Sequence, residues 1–233
     1  MLSNFDGEVI TADSKQALAE SLAADVARWL QKGIENKGSA TLVVSGGSTP
    51  APFFKSLSLL DINWKQVTVT LADERWVAMD DELSNEKLVR ETLLVNAASS
   101  AKFLSIYNGA KSPEDGWQQC EESLRSLPGP HDVVVLGMGG DGHTASLFPN
   151  TQGLEDACNP EIDKLCWPMH PSHIAEARMS LTLAALLDCR QLVLHITGED
   201  KREVFERALN GENLPIASVI RAAGSRLQLY WAA

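Results

Sequence analysis

The residues best suited to chemistry lie in a glycine-rich loop between Gly137 and Pro149, which reads GMGGDGHTASLFP. Asp141 stands two residues before His143 in this loop. A neutral imidazole can take a proton from water near pH 7, and a neighbouring carboxylate can set the tautomer and orientation of the ring. His143 is therefore the best candidate for a general base, with Asp141 as its favoured partner. The alternative is a histidine that only completes hydrogen bonds within the loop.

The same loop matches two nucleotide-binding patterns, and other residues argue against both. Its glycines satisfy G-x-G-x-x-G, but a dinucleotide turn opens a full helix, whereas Pro149 follows only seven residues after Gly142. A P-loop requires lysine where His143 stands. We expect the small residues of the loop, including Gly140, to let a ligand approach the backbone closely.

A second motif, SGGSTP at residues 45–50, lies between a predicted strand and a predicted helix. Gly46 and Gly47 permit backbone conformations that are closed to other residues, and Ser48 or Thr49 can cap the helix. Unpaired N–H groups and the positive end of the helix then favour an anion such as a phosphate. An ordinary capped turn is the alternative.

Charged residues follow other predicted strands, at the edge where a parallel sheet presents its ligand site. In the motif ADERWV, Arg75 can bind a substrate oxyanion or hold a carboxylate, and Asp73 is a second candidate to support His143. Arg178 and Lys201 stand where each can reach back to an anion in the cleft. A salt-bridged loop explains ADERWV equally well, and an isolated cation is more typical of a solvated surface.

The elements that must position these residues alternate between short apolar strands and helices. β-Branched and apolar runs predict strands at 41–44, 67–71, 132–137, 191–198 and 226–231. Apolar residues spaced three or four apart predict a helix at 13–31, and helix-like segments follow strands at 84–94 and 199–209. This alternation indicates an α/β fold, a Rossmann-like and mainly parallel doubly wound sheet with helices on both faces. Ligands bind at the carboxyl ends of the strands in such sheets.

We expect a single domain over residues 1–233. The proline-rich stretch from Cys158 to Ile174 is predicted to be a long surface excursion within it. Four cysteines lie at long and irregular spacings, at positions 120, 158, 166 and 189. The absence of a C-x-x-C pair favours reduced thiols over a disulfide scaffold or a metal site.

Charge and hydropathy limit the partners. Twenty Lys and Arg stand against 31 Asp and Glu, and the resulting net charge of −11 at pH 7 argues against binding to nucleic acid or to an acidic membrane. No apolar run approaches the roughly 18 residues of a membrane span, and the amino terminus lacks the pattern of a signal peptide. We therefore expect a cytoplasmic protein, with monomer and homodimer both open.

Taken together, these motifs resemble the 6-phosphogluconolactonases, which share a superfamily with the glucosamine-6-phosphate deaminases. The resemblance covers nearly the whole chain in the same order: SGGSTP at 45–50, DERWV at 73–77, SNEKLVRETLL at 84–94, GMGGDGHTASLFP at 137–149, RMSLTL at 178–183 and G-x-x-K at 198–201. It implies the NagB-like fold of that superfamily. It also implies hydrolysis of 6-phospho-D-glucono-1,5-lactone to 6-phosphogluconate in the oxidative pentose phosphate pathway, without a metal or an organic cofactor.

The resemblance implies a role for each candidate residue. The SGGST segment, Arg178 and Lys201 would hold the 6-phosphate of the lactone. His143 would activate water for attack on the lactone C1, and Arg75 would contact the substrate near its reacting end. Because this substrate is an anion and the chain itself carries a net negative charge, the three cations must converge on one cleft.

Two other functions remain as alternatives. The deaminases of the superfamily resemble F-N-E-P after the DGH sequence and DEY in place of DERWV, whereas this chain has Leu147, Phe148 and Pro149 and lacks that acid. Both departures favour the lactonase. A sugar-phosphate sensing domain of a transcriptional regulator would need no base, but it would carry a DNA-binding module and a basic face that this sequence lacks.

Overall fold

The computed structural model describes residues 4–172 and 174–233 of the chain. Along these residues the strands are β1 (Val9–Thr11), β2 (Ala40–Val44), β3 (Val67–Leu71), β4 (Asp73–Arg75), β5 (Lys102–Phe103), β6 (His131–Leu136), β7 (Cys166–Met169), β8 (Arg178–Leu181), β9 (Cys189–Thr197) and β10 (Leu227–Ala232). The helices are α1 (Lys15–Lys37), α2 (Ala51–Ser58), α3 (Asn85–Thr92), α4 (Pro113–Arg125), α5 (Leu154–Ala157), α6 (Leu183–Leu187), α7 (Glu199–Leu209) and α8 (Pro215–Ala223). Short 3₁₀ turns lie at Trp64–Gln66, Asn96–Ser100 and Gly224–Arg226.

Seven strands form a parallel sheet in the order β1-β10-β9-β6-β2-β3-β5. From β2 the chain adds strands on one side, and after β5 it returns to add β6, β9 and β10 on the other side. Because crossovers between parallel strands are right-handed, this reversal places α1 to α3 on one face and α4 with α6 to α8 on the other. The predicted α/β fold with a mainly parallel, doubly wound sheet is confirmed.

The central strands are buried on both sides, which explains their unbroken apolar runs. All five residues of β2 and five of the six residues of β6 are buried. Helix α1 covers this part of the sheet with a buried stripe that includes Leu18, Leu22, Val26 and Leu30. Although α1 is 23 residues long, no helix in the described residues is both long and apolar enough to cross a membrane.

A second sheet, antiparallel and three-stranded, has the order β4-β8-β7. Strand β7 lies inside the stretch from Cys158 to Ile174, so the prediction of a surface excursion was wrong for Cys166–Met169. The strand was not predicted because Pro168 interrupts its sequence, and proline argues against a strand. A proline is tolerated there because β7 is an edge strand of its sheet, where a missing N–H need not break a ladder hydrogen bond.

Asp132 joins three elements near the amino-terminal edge of the parallel sheet. The residue is only 2% exposed, and its Oδ2 accepts the backbone N–H of Thr41 at 2.8 Å and lies 3.0 Å from Nζ of Lys37. A Cβ atom at Gly33 would lie 2.6 Å from Asp132 Oδ1, so this position of α1 has to be glycine. The carboxylate therefore ties the end of α1 and the start of β2 to β6.

Replacing Asp132 by alanine should lower the free energy of unfolding by about 2–3 kcal/mol, because the N–H of Thr41 loses a buried acceptor and Lys37 loses its partner. Urea denaturation measures this difference. Asp163→Ala is the matched control, since Asp163 lies 3.4 Å from Arg125 but its side chain is 98% exposed. The control should change stability by less than about 0.5 kcal/mol. Equal destabilisation by the two variants would contradict the role given to Asp132.

Candidate active site

Loops at the carboxyl ends of the parallel strands enclose a cleft of about 250 Å³. The cleft lies where the chain reverses its direction across the sheet, between β2 and β6, which is where open α/β sheets bind ligands. Nine of the eleven site residues expected from the sequence line it: Gly46, Gly47, Ser48, Thr49, Asp73, Arg75, His143, Arg178 and Lys201. The other two lie beside lining residues. Asp141 contacts His143, and a Cβ atom at Gly140 would lie 3.7 Å from Nζ of Lys201.

The SGGSTP loop, residues 45–50, turns from β2 into α2 with glycine at the positions that require it. Gly47 has a φ of 100°, and a Cβ atom at Gly46 would lie 1.9 Å from Oδ1 of Asn85. The predicted cap by Ser48 or Thr49 was wrong, because Pro50 is the N-cap residue and no side chain caps the helix. The amino terminus of α2 is therefore left to interact with a ligand through its backbone N–H groups.

His143 is held by a short hydrogen bond to Asp141. Nδ1 of the ring lies 2.6 Å from Asp141 Oδ1, which also accepts the backbone N–H of His143 at 3.2 Å. Phe148 stacks on the imidazole with 4.0 Å between the ring centroids. A Cβ atom at Gly139 would lie 2.1 Å from Nδ1, so the ring needs glycine at that position.

The protonation of this pair follows from its surroundings. Burial, which disfavours the imidazolium, lowers the pKa of His143 below its ordinary 6.5 despite the opposing effect of Asp141. Burial alone would raise the pKa of Asp141, but the charge of His143 and its hydrogen bonds outweigh burial and lower that pKa. Near pH 7 the Asp141 carboxylate therefore accepts a hydrogen bond from the Nδ1–H of a neutral ring, which leaves the lone pair on Nε2.

Hydrogen bonds within and beyond the glycine-rich loop fix the position of His143. The backbone N–H of Gly139 donates to the carbonyl of His143 at 2.8 Å, and Oγ1 of Thr144 donates to the carbonyl of Gly137 at 2.8 Å. Ala145 has a φ of 47°, a left-handed conformation that is costly for a residue other than glycine. No helix follows the loop before α5, as Pro149 predicts.

Asp73 belongs to a different cluster, formed with Ser146 and Arg178. Ser146 Oγ donates to Asp73 Oδ2 at 2.5 Å, and Nη1 of Arg178 lies 3.7 Å from the same oxygen. Burial lowers the pKa of Arg178, and the nearby Asp73 partly offsets that effect. Of the two candidate partners of His143, Asp141 is thus the one that bonds the ring, while Asp73 serves the guanidinium.

The small antiparallel sheet carries two of the cations to the cleft. Arg75 on β4 is the register partner of Arg178 on β8. Arg75 Nη1 also donates to the carbonyl of Leu83 at 2.6 Å, and the guanidinium of Arg178 lies 5.1 Å from the ring centroid of Phe148. Lys201 comes from the start of α7, which lies on the face of the parallel sheet opposite to α2. The three cations therefore meet in one cleft of a chain with net charge −11.

Glu74, the second acid of the DER sequence, does not line the cleft. Its carboxylate accepts the backbone N–H groups of Arg75, Asn85 and Glu86 at 2.8, 2.8 and 2.7 Å, and so it holds the amino terminus of α3. Alternation along β4 explains the difference between Glu74 and Asp73, because successive strand residues point to opposite faces.

Several residues that line the cleft carry unpaired buried polar atoms, and for Ser45, Asn85 and His195 the sequence predicts no individual role. Among the described residues, six such atoms belong to five residues of the cleft: Ser45 Oγ, Arg75 Nε, Asn85 Oδ1, Arg178 Nε and both ring nitrogens of His195. A buried polar atom without a partner costs about 1–3 kcal/mol, so these atoms favour a polar ligand. Ser45 lies in the SGGSTP motif and Asn85 in the SNEKLVRETLL motif. His195 lies in the run LVLHIT, whose apolar pattern is typical of a buried core strand.

The described residues do not form a site for a metal ion. Within residues 4–172 and 174–233, no group of three or more His, Cys, Asp or Glu side chains is arranged to hold a metal ion. The four cysteines carry no disulfide, and three of them are buried. The chemistry available in the cleft is therefore that of a neutral histidine base beside cations and a helix amino terminus.

Comparison with known proteins gives a consistent result. Residues 13–231 match the family described as glucosamine-6-phosphate isomerases/6-phosphogluconolactonase. A curated protein named 6-phosphogluconolactonase from Mesorhizobium japonicum is 45% identical to this chain, over 92% of this chain and 91% of its own length. One of the same name from Rhizobium meliloti is 44% identical, over 94% of this chain and 96% of its own length.

A crystal structure of a 6-phosphogluconolactonase from Shewanella baltica is 42% identical and has a TM-score of 0.94 with this chain. It covers 97% of this chain and 98% of its own. A crystal structure of a related protein from Neisseria gonorrhoeae is 36% identical, with a TM-score of 0.89, and the match covers 97% of this chain and 100% of that one. Since the family match and these relatives extend over nearly the whole chain, this chain belongs to the glucosamine-6-phosphate isomerase/6-phosphogluconolactonase family.

Proposed function

We propose that this protein hydrolyses 6-phospho-D-glucono-1,5-lactone to 6-phosphogluconate, a step of the oxidative pentose phosphate pathway. The observation that carries the proposal is the Asp141–His143 pair, whose neutral ring lines the same cleft as three cations. The two relatives above that are named 6-phosphogluconolactonase, at 45% and 44% identity over almost their full lengths, support it.

In the proposed reaction, Nε2 of His143 takes a proton from a water molecule as the water oxygen attacks C1 of the lactone. Asp141 stabilises the imidazolium through Nδ1. The tetrahedral intermediate collapses when the bond between C1 and the ring oxygen breaks, and the imidazolium returns its proton to that oxygen. Arg75 supplies positive charge near the reacting end, where negative charge develops on the carbonyl oxygen.

The phosphate acts as a remote handle that orients C1 against this water. We assign it to the SGGSTP loop with the amino terminus of α2, and to Arg178 and Lys201. The loop offers backbone N–H groups and three hydroxyls, and the cations offer charge-assisted hydrogen bonds. Groups of the protein itself supply the base, the orientation and the counter-charge, so the reaction as proposed uses neither a metal nor an organic cofactor.

The site differs from what the deaminases of the superfamily require. Where their loop resembles F-N-E-P, this chain has Leu147, Phe148 and Pro149. Phe148 is buried and stacks on His143, so an apolar ring takes the place of an acid beside the base. This contact supports lactone hydrolysis over deamination, which needs further proton transfers.

The net charge of −11 supports a cytoplasmic location and a small-molecule substrate. A chain of this charge is repelled by nucleic acid and by acidic membranes, which fits a cytoplasmic enzyme acting on a small metabolite. We propose that residues 1–233 act as one domain, as a monomer or a homodimer.

His143→Ala should reduce kcat for phosphogluconolactone by about 10²- to 10⁴-fold, because general base catalysis is lost. The affinity for 6-phosphogluconate should change little, since the phosphate is held elsewhere. The measurements are a hydrolysis assay on freshly generated lactone, corrected for the spontaneous rate, and calorimetric titration with 6-phosphogluconate. A kcat close to that of the unmodified protein would remove His143 from the mechanism.

Lys201→Ala should raise KM by about ten- to a hundredfold with kcat nearly unchanged, because it removes a charged hydrogen bond to the phosphate. Arg202→Ala is the matched control on the same helix, where Arg202 pairs with Glu199 and Glu206. The control should leave KM unchanged. The effect of Lys201→Ala should also vanish with glucono-1,5-lactone, which has no phosphate. An unchanged KM for the phosphorylated lactone in Lys201→Ala would refute this assignment.

The pH dependence follows from the lowered pKa of His143. The base is active when neutral, and its pKa lies below the ordinary 6.5, so kcat/KM should fall to half of its plateau value only at a pH below 6.5. Initial rates between about pH 5 and 7.5, corrected for spontaneous hydrolysis, test this. A decline that is already half complete above pH 6.5 would contradict the neutral, buried ring.

A further inference from the structure

His195 lies on the floor of the cleft and takes no part in the mechanism above. The residue is 3% exposed, it lines the cleft, and neither of its ring nitrogens has a hydrogen-bond partner among the described residues. Polar side chains this deeply buried are normally paired. An imidazole with both nitrogens unpaired beside a ligand cleft therefore points to a partner that arrives with the ligand.

Strand register places this ring level with Gly137, the first glycine of the glycine-rich loop. On β9, His195 follows Leu194, which pairs with Leu136 on β6. The next residue of β6 is Gly137, which has no side chain to cover the ring. A Cβ atom built at Gly137 would meet nothing closer than Ser45 Cβ at 4.0 Å, so the space beside the ring is open.

A contact with α2 shows which part of the cleft the ring occupies. Phe53 lies in the first turn of α2, and its ring meets the imidazole edge-on with 6.2 Å between centroids. Tyr230, the register partner of His195 on β10, bonds Asp25 of α1, so both side chains face the α1 and α2 side of the sheet. His195 thus lies beneath the SGGSTP loop, at the end of the cleft that we assign to the phosphate.

The protonation state of the ring suits a neutral donor. Burial lowers the pKa of His195 to about 4, so the ring is uncharged at neutral pH and offers one N–H donor and one acceptor nitrogen. A phosphate oxygen accepts a hydrogen bond from such an N–H. A neutral donor at this depth avoids the cost of burying another charge, while Arg178 and Lys201 supply the charge.

We propose that His195 is a further substrate-binding residue, whose ring N–H donates a hydrogen bond to an oxygen of the bound phosphate group. This inference rests on the phosphate position in the proposed function. It makes His195 a determinant of affinity for phosphorylated over unphosphorylated sugars.

The first test separates binding from folding by substitution. His195→Leu should raise KM for the phosphorylated lactone, and Kd for 6-phosphogluconate, by about ten- to a hundredfold with kcat within a few-fold. Thermal stability should hold or rise, because an apolar group replaces an unpaired polar one. His195→Asn, which keeps a donor, should recover part of the affinity. Unchanged KM and Kd in His195→Leu would overturn the proposal.

A matched control comes from another histidine of the same sheet. His131 begins β6 at the opposite edge, and its Nδ1 is likewise buried without a partner. His131→Leu should leave KM and Kd unchanged. A loss of affinity in His131→Leu equal to that in His195→Leu would mean that both act only through the sheet, and it would also overturn the proposal.

The second test observes the ring directly and requires no turnover. In ¹⁵N-labelled protein, inorganic phosphate and 6-phosphogluconate should both shift the protonated ring nitrogen of His195, and gluconate should not. A shift with 6-phosphogluconate alone would place the contact on the sugar and refute the phosphate assignment. Saturating binding without any shift would refute the proposal altogether. If the protein bound phosphosugars with the expected shift but hydrolysed no lactone, the proposed function would fail and the role of His195 would stand.

Discussion

The reversal of the chain between β2 and β6 is the constraint on which the rest of the site depends. Strands are added on one side of β2 and later on the other side of β6, so the loops that leave these neighbouring strands turn to opposite faces of the sheet. The space between the two loops is the cleft. The SGGSTP loop forms one wall and the glycine-rich loop forms the other, so the amino terminus of α2 and His143 line the same cleft.

The electrostatics of the cleft come from elements that lie far apart in the sequence. Arg75 and Arg178 are carried by the small antiparallel sheet, and Lys201 comes from α7. Asp73 keeps Arg178 in place, and Asp141 keeps His143 in one tautomer. Each carboxylate therefore orients one functional group. The three cations give the cleft a positive charge within an acidic chain. The net charge of −11 favours solubility.

Prediction from the sequence worked best where a local pattern decides the structure. Helix α7 has the predicted bounds of 199–209, and β3 has the predicted bounds of 67–71, because periodicity and β-branching dominate in both. It failed where a partner decides the structure. Strand β7 is a strand because β8 pairs with it, despite Pro168. Likewise Pro50, and neither Ser48 nor Thr49, is the N-cap residue of α2, because the loop extends further than the capping pattern predicts.

The sequence by itself determined the α/β class, the positions of the glycines that the loops require, and the side chains able to act as base and cations. These depend on residue type and spacing along short segments. Tertiary structure alone decided that Asp141 and not Asp73 bonds His143, that Glu74 turns away to hold α3, and that His195 lies unpaired beneath the SGGSTP loop. Such choices depend on distances between atoms of separate elements, which no local pattern contains.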